Sequence, residues 1–132
     1  EEDSDFAITL FNFLSANKIN AYEPTFVKIE VISALRKKAS FGKLKDTDLR
    51  NCVNRFKSMD VDYVNEDWRL LERSLTYSDD IKSRVIYDCV YLALAFQMRC
   101  NLITADEKFV NIVSSKFQNV FLLQDWESAL RI

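Results

Sequence analysis

Strand-like and helical patterns alternate along these 132 residues, and that alternation constrains the fold more than any other feature. Phe6, Leu10, Phe13 and Leu14 recur at helical spacing and mark a helix over Asp5 to Ala16. Ile19 to Tyr22 reads as a short strand, and Pro24 suits the first turn of a helix running to about Ala39. Gly42 punctuates the turn that follows, and Asp46 or Thr47 can cap a helix through Phe56. Val61 to Val64, with β-branched and aromatic residues, is a second strand. Asn65 to about Leu75 reads as a helix, Tyr77 to Lys82 as a polar loop, and Arg84 to Met98 as the most apolar helix. A strand at Asn101 to Thr104, a helix at Ala105 to Val113, a strand at Val120 to Leu123 and a terminal turn at Trp126 to Leu130 complete the pattern. Strands separated by helices need crossover connections, so the expected class is α/β with mostly parallel pairing. No repeat, low-complexity tract or linker interrupts residues 1–132, so one domain is expected.

Composition narrows the chemistry. Hydrophobic content of 48% and charged content of 29% suit a packed core and argue against disorder. No apolar run approaches the ~20 residues of a membrane helix, and the acidic start is unlike a signal peptide. Cys52, Cys89 and Cys100 are odd in number and lack CxxC spacing; Cys89 and Cys100 adjoin apolar residues and read as core thiols of a reducing, cytoplasmic protein. Histidine is absent, which removes Ser-His and Cys-His nucleophilic mechanisms and imidazole ligands. A metal would then rely on oxygen ligands, which suit magnesium or manganese. With Gly42 as the single glycine, the glycine-rich phosphate loops are excluded. Trp68, Trp126 and the phenylalanines are expected mostly in core or interface, and Asp79 and Asp80 as loop charges.

Three carboxylates fall in apolar contexts on three different elements: Glu30 within Phe26–Leu35, Asp88 within Val85–Phe96, and Asp106 at the end of Leu102–Asp106. A buried carboxylate needs a cation, basic or metallic. In a parallel α/β sheet ligands gather at the carboxyl ends of the strands, where Asp106 belongs and where Glu30 and Asp88 can converge with it. Ordinary alternatives stand beside this reading. Arg84 lies four residues before Asp88 and could pair with it. Glu30 could pair with Lys28, and Asp106 could simply favour a helix start. Thr104 and Glu107 fit a capping box. Arg36, Lys37, Lys38, Lys43 and Lys45 form a basic run that is either a solvated face or a contact for RNA phosphates.

Three segments, in order and spacing, resemble PIN-domain ribonucleases, especially VapC-type toxins. Pro24-Thr25-Phe26-Val27-Lys28-Ile29-Glu30-Val31 is similar to their Pro-x5-Glu-Val helix. Tyr87-Asp88-Cys89-Val90-Tyr91-Leu92-Ala93-Leu94-Ala95 resembles their Tyr-Asp-Ala-x-Tyr-x-Ala-Leu-Ala helix, and Leu102-Ile103-Thr104-Ala105-Asp106 their Leu-x-Thr-x-Asp segment. The resemblance implies a three-layer α/β/α fold with sheet order 3-2-1-4-5. It implies hydrolysis of RNA phosphodiesters with magnesium or manganese held by Glu30, Asp88 and Asp106, with Thr104 and Glu107 as possible accessories. Water would attack, leaving 5′-phosphate and 3′-hydroxyl ends. A cognate antitoxin and a homodimer are the family's partners.

One departure bears on all of this. The family's first strand carries a further metal-binding Asp, whereas this sequence opens on Glu1-Glu2-Asp3-Ser4-Asp5. That central strand is expected from a segment outside this sequence, from another chain, or not at all, in which case its neighbours close up and pair directly. The alternative function is a catalytically inactive PIN-like scaffold that binds protein or RNA. A phosphatase is disfavoured, because neither Asp3-Ser4-Asp5 nor Asp60-Val61-Asp62 follows a strand.

Overall fold

The computed structural model describes residues 2–83 and 85–130, with side chains from residue 5 onward. The chain divides into two compact units, Asn20–Asn65 and Glu1–Ile19 with Glu66–Ile132.

In the Asn20–Asn65 unit, β1 (Tyr22–Pro24) pairs in parallel with β2 (Asp62–Val64), Tyr22 facing Asp62 and Pro24 facing Val64. The Ala21 carbonyl accepts from the Asp62 N–H at 2.8 Å, and the Val64 carbonyl from the Thr25 N–H at 3.1 Å. The crossover between the strands consists of α2 (Val27–Ser40) and α3 (Asp46–Ser58), which pack together. Pro24 lacks an N–H to continue a ladder, which suits its place at the last residue of β1. Gly42 turns the chain after α2 at φ 72°, a left-handed conformation in which a side chain would be strained. Leu49 is the buried residue of α3, and the Phe56 ring lies 6.5 Å from that of Tyr63.

In the second unit, β3 (Leu102–Thr104) and β4 (Val120–Leu122) pair in parallel across α6 (Glu107–Val113). The apolar helix α5 (Ile86–Met98) buries Cys89, Val90, Leu92, Ala93, Leu94 and Ala95, as a helix that is hydrophobic nearly all round must. Against it lies α4 (Trp68–Asp80), whose buried stripe Leu70, Ser74 and Ser78 repeats every fourth residue. The small serines leave room for close helix packing. The Ser74 hydroxyl donates back to the Leu70 carbonyl at 2.8 Å, so its burial strands no polar group. Leu92, Phe109, Val113 and Val120 form a core on which Tyr77, Ile81 and Phe117 pack. α1 (Glu2–Ala16) brings Phe13 within 5.3 Å of Trp126, at the start of α7 (Trp126–Ala129).

Several expectations need correction. Pro24 closes β1 rather than opening the helix, so strand and helix both begin later than the spacing suggested. Lys45, not Asp46 or Thr47, occupies the N-cap of α3 and makes no side-chain cap bond. The expected loop over Tyr77 to Lys82 is helical as far as Asp80. Tyr77 packs edge-on against Phe117 at 4.9 Å and Ser78 is buried, so packing holds the last turn where composition looked polar. Asp79 and Asp80 are therefore helical charges. Trp68 is 80% exposed, because the first position of α4 faces solvent, and Phe41 and Phe96 are exposed as well. Arg84 lies outside the described residues. The strands form two two-stranded sheets, β1-β2 and β3-β4, so the direct pairing of β1 with β3 is not found among the described residues.

Candidate functional site

Asp106 is placed by a local rule. The chain leaves β3 at Thr104, and Asp106 becomes the N-cap of α6, its Oδ1 accepting from the Phe109 N–H at 3.0 Å. The Thr104 hydroxyl accepts from the Asp106 N–H at 3.1 Å and braces the same turn. The capping box expected of Thr104 and Glu107 is thus displaced by two residues: Asp106 caps, and Glu107 is the first helical residue. The cap engages Oδ1, and the exposed carboxylate presents Oδ2 at the carboxyl end of β3.

Asp88 sits in the first turn of α5, half-buried, two residues from the start of a helix whose next two positions are fully buried. A carboxylate at a helix N-terminus is favoured by the helix dipole. Burial first, and then the charge of Asp88, push the thiol of the adjacent Cys89 above its ordinary range. Burial raises Cys100 similarly.

Glu30 stands in the first turn of α2 in the other unit and is exposed. The expectation that an apolar context buries it does not hold: α2 buries no residue, and Ile29 beside it is 71% exposed. The ammonium of Lys28 lies 4.7 Å from the centre of the Tyr63 ring. Sequence reasoning missed Glu23. Burial, with the charge of Glu30 adding, pushes the Glu23 carboxyl from 4.5 up to about 7. The available signal was an acid in a strand, one residue before a buried proline and seven before another acid. Among the described residues no group of three or more Cys, Asp or Glu side chains is arranged to hold a metal ion.

Arg36, Lys37 and Lys38 are exposed in the last turns of α2, and Lys43 and Lys45 are exposed in the segment that follows. Cations there complement the helix C-terminus whether or not a ligand comes.

The PIN domain family model matches residues 2–113, a span that includes Glu30, Asp88 and Asp106. The chain belongs to the PIN domain family. PIN domains are generally nucleases and typically use divalent metals. The α/β elements and short parallel strands of this PIN domain agree with the family's fold class. No curated protein matches the chain. No helix among the described residues is long and apolar enough to cross a membrane. The donor chemistry of this PIN domain fits a hard cation: the three expected acids are carboxylates, Asp106 keeps an oxygen outside its cap, and the chain has no histidine.

Proposed function

We propose that this PIN domain is a metal-dependent endoribonuclease that hydrolyses RNA phosphodiesters, the toxin of a type II toxin–antitoxin module of the VapC kind. The observation that carries the reading is the family match over a span containing all three acids. Glu30, Asp88 and Asp106 would hold magnesium or manganese. When bound, such a cation lowers the pKa of its water and offsets charge on the in-line transition state. The chain's own contribution is orientation. The Phe109 N–H fixes the Asp106 carboxylate at the end of β3, and the first turn of α5 fixes Asp88. Glu23, holding a proton for part of the time near neutral pH, reduces the negative charge beside Glu30. Thr104, whose hydroxyl accepts from the Asp106 N–H, would act through Asp106, and Glu107 is a candidate accessory acid. Arg36, Lys37, Lys38, Lys43 and Lys45 would meet RNA phosphates. We assign a cytoplasmic location, a cognate antitoxin and a homodimer on the resemblance to VapC-type toxins. On the same ground residues 1–132 form one PIN-like domain of the three-layer α/β/α class.

The test is cleavage of single-stranded RNA with magnesium or manganese, comparing the unaltered protein with Asp88→Asn. Cleavage that stops with chelator and is lost in the variant supports the proposal. Chelator-insensitive cleavage, or undiminished activity in Asp88→Asn, removes it. An inactive protein that still binds RNA would point to the scaffold reading.

A further inference from the structure

A cavity of about 760 Å³ lies in the unit Glu1–Ile19 with Glu66–Ile132, away from Asp88 and Asp106 of the same unit. Its walls come from the first turns of α4, the last turn of α5 and the residues leading into β3 and β4. Asp88 lies at the other end of α5, about 14 Å along the axis from Gln97 at 1.5 Å per residue. Asp106 follows the carboxyl end of β3, whereas Asn101 of the cavity precedes its amino end.

The charge of this cavity is unlike that of the whole chain. Arg69, Arg73 and Arg99 line it against one carboxylate, Asp67, although the protein's formal net charge is −2. No described carboxylate forms an ion pair with any of the three arginines. Asp67 already serves its own helix, accepting from the Leu70 N–H at 2.9 Å as the N-cap of α4. The walls are also braced. The Arg73 guanidinium lies 4.0 Å from the centre of the Phe96 ring, which fixes its plane. The Asn119 carboxamide donates to the Cys100 carbonyl at 3.3 Å, and that of Asn101 to the Ala129 carbonyl. Three arginines and one aspartate leave a balance of two positive charges.

We propose that this cavity binds a phosphate monoester, carried either by a free nucleotide or by the 5′ end of an RNA strand. A terminal phosphate carries about −1.5 to −2 at neutral pH, which matches that balance. A backbone phosphodiester or a single carboxylate carries one charge and leaves an arginine unanswered. Guanidinium forks suit phosphate oxygens, because their parallel N–H groups bond two oxygens at once. The volume falls within the ~300–1,000 Å³ of small-ligand sites. The proposal is independent of the nuclease reading.

The experiment is isothermal titration of the whole protein, in chelator, with AMP, adenosine, and a short RNA bearing either a 5′-phosphate or a 5′-hydroxyl. Saturable binding of AMP but not adenosine is expected, weakened about tenfold or more by Arg69→Gln or Arg99→Gln and unchanged by Asp88→Asn. Preference for the 5′-phosphorylated RNA over AMP assigns the source to RNA ends, and equal affinity assigns it to nucleotides. Binding that ignores the phosphate, or that both arginine variants retain in full, overturns the proposal. So does stronger binding of an oligoglutamate peptide than of AMP. Circular dichroism of each variant separates loss of the site from loss of the fold, and Arg69→Lys, which keeps the charge but not the fork, should fall between.

Discussion

At the scale of the residue, Asp106 caps α6 and is proposed to hold the metal, two jobs that substitution can separate. Asn caps a helix about as well as Asp does, whereas Ala forfeits about 1 kcal/mol. Asp106→Asn should therefore keep the melting temperature and lose metal-dependent cleavage, while Asp106→Ala loses both. Thermal unfolding and an RNA cleavage assay on the two variants check this. Glu23 supplies the pH dependence. Its folded carboxyl titrates near 7 rather than 4.5, so the folded state binds the proton more tightly than the unfolded chain does. The associated stability is fully present below pH 4.5 and is lost as pH rises through about 7. Glu23→Gln should remove that loss and stabilise the metal-free protein at pH 8 by about 1–3 kcal/mol, with little change at pH 5. Urea denaturation at both pH values reads the difference, and equal effects at the two would contradict the assignment. Lys18, Lys82 and Arg99 hold positive φ near 54°, where glycine is the unstrained choice. Lys82→Gly, at the end of α4, should stabilise by about 1 kcal/mol.

At the scale of the element, helices and strands were legible because their periodicities differ, and the misreadings have local causes. Pro24 is compatible both with a helix start and with the end of a strand, and β1 uses the second. Tyr77 and Ser78 are polar by composition but are held in α4 by contact with Phe117 and by burial, which sequence does not display. Motif order singles out Glu30, Asp88 and Asp106, but an apolar sequence context does not bury all three. Asp88 is half-buried, whereas Glu30 and Asp106 are exposed. Glu23 escaped notice because no motif marks it; burial beside Glu30 does. The basic run has its own test. If α2 and the segment after it touch phosphates, replacing Lys37, Lys38 and Lys43 with Gln should lower the salt slope of single-stranded RNA binding by up to about 2 while leaving stability unchanged. An unaltered slope would make these residues a solvated face.

At the scale of the whole molecule, the parallel pairs β1-β2 and β3-β4 each join strands separated by helices. The parallel pairings were therefore readable from the alternation of elements, while the partner of their remaining edges was not, since a strand's partner is set by chain outside it. The same limit applies to function. PIN membership follows from a match across residues 2–113, whereas the roles of Glu30, Asp88 and Asp106 are a proposal that activity must test. The most direct test is end analysis of single-stranded RNA incubated with the protein and manganese, with and without chelator, beside Asp88→Asn. The account predicts fragments with 5′-phosphate and 3′-hydroxyl ends that disappear with chelator and fall at least about a hundredfold in the variant, the loss expected when a transition-state interaction of about 2.7 kcal/mol is removed. Fragments with 2′,3′-cyclic phosphate ends, or cleavage that survives both chelator and Asp88→Asn, would contradict it.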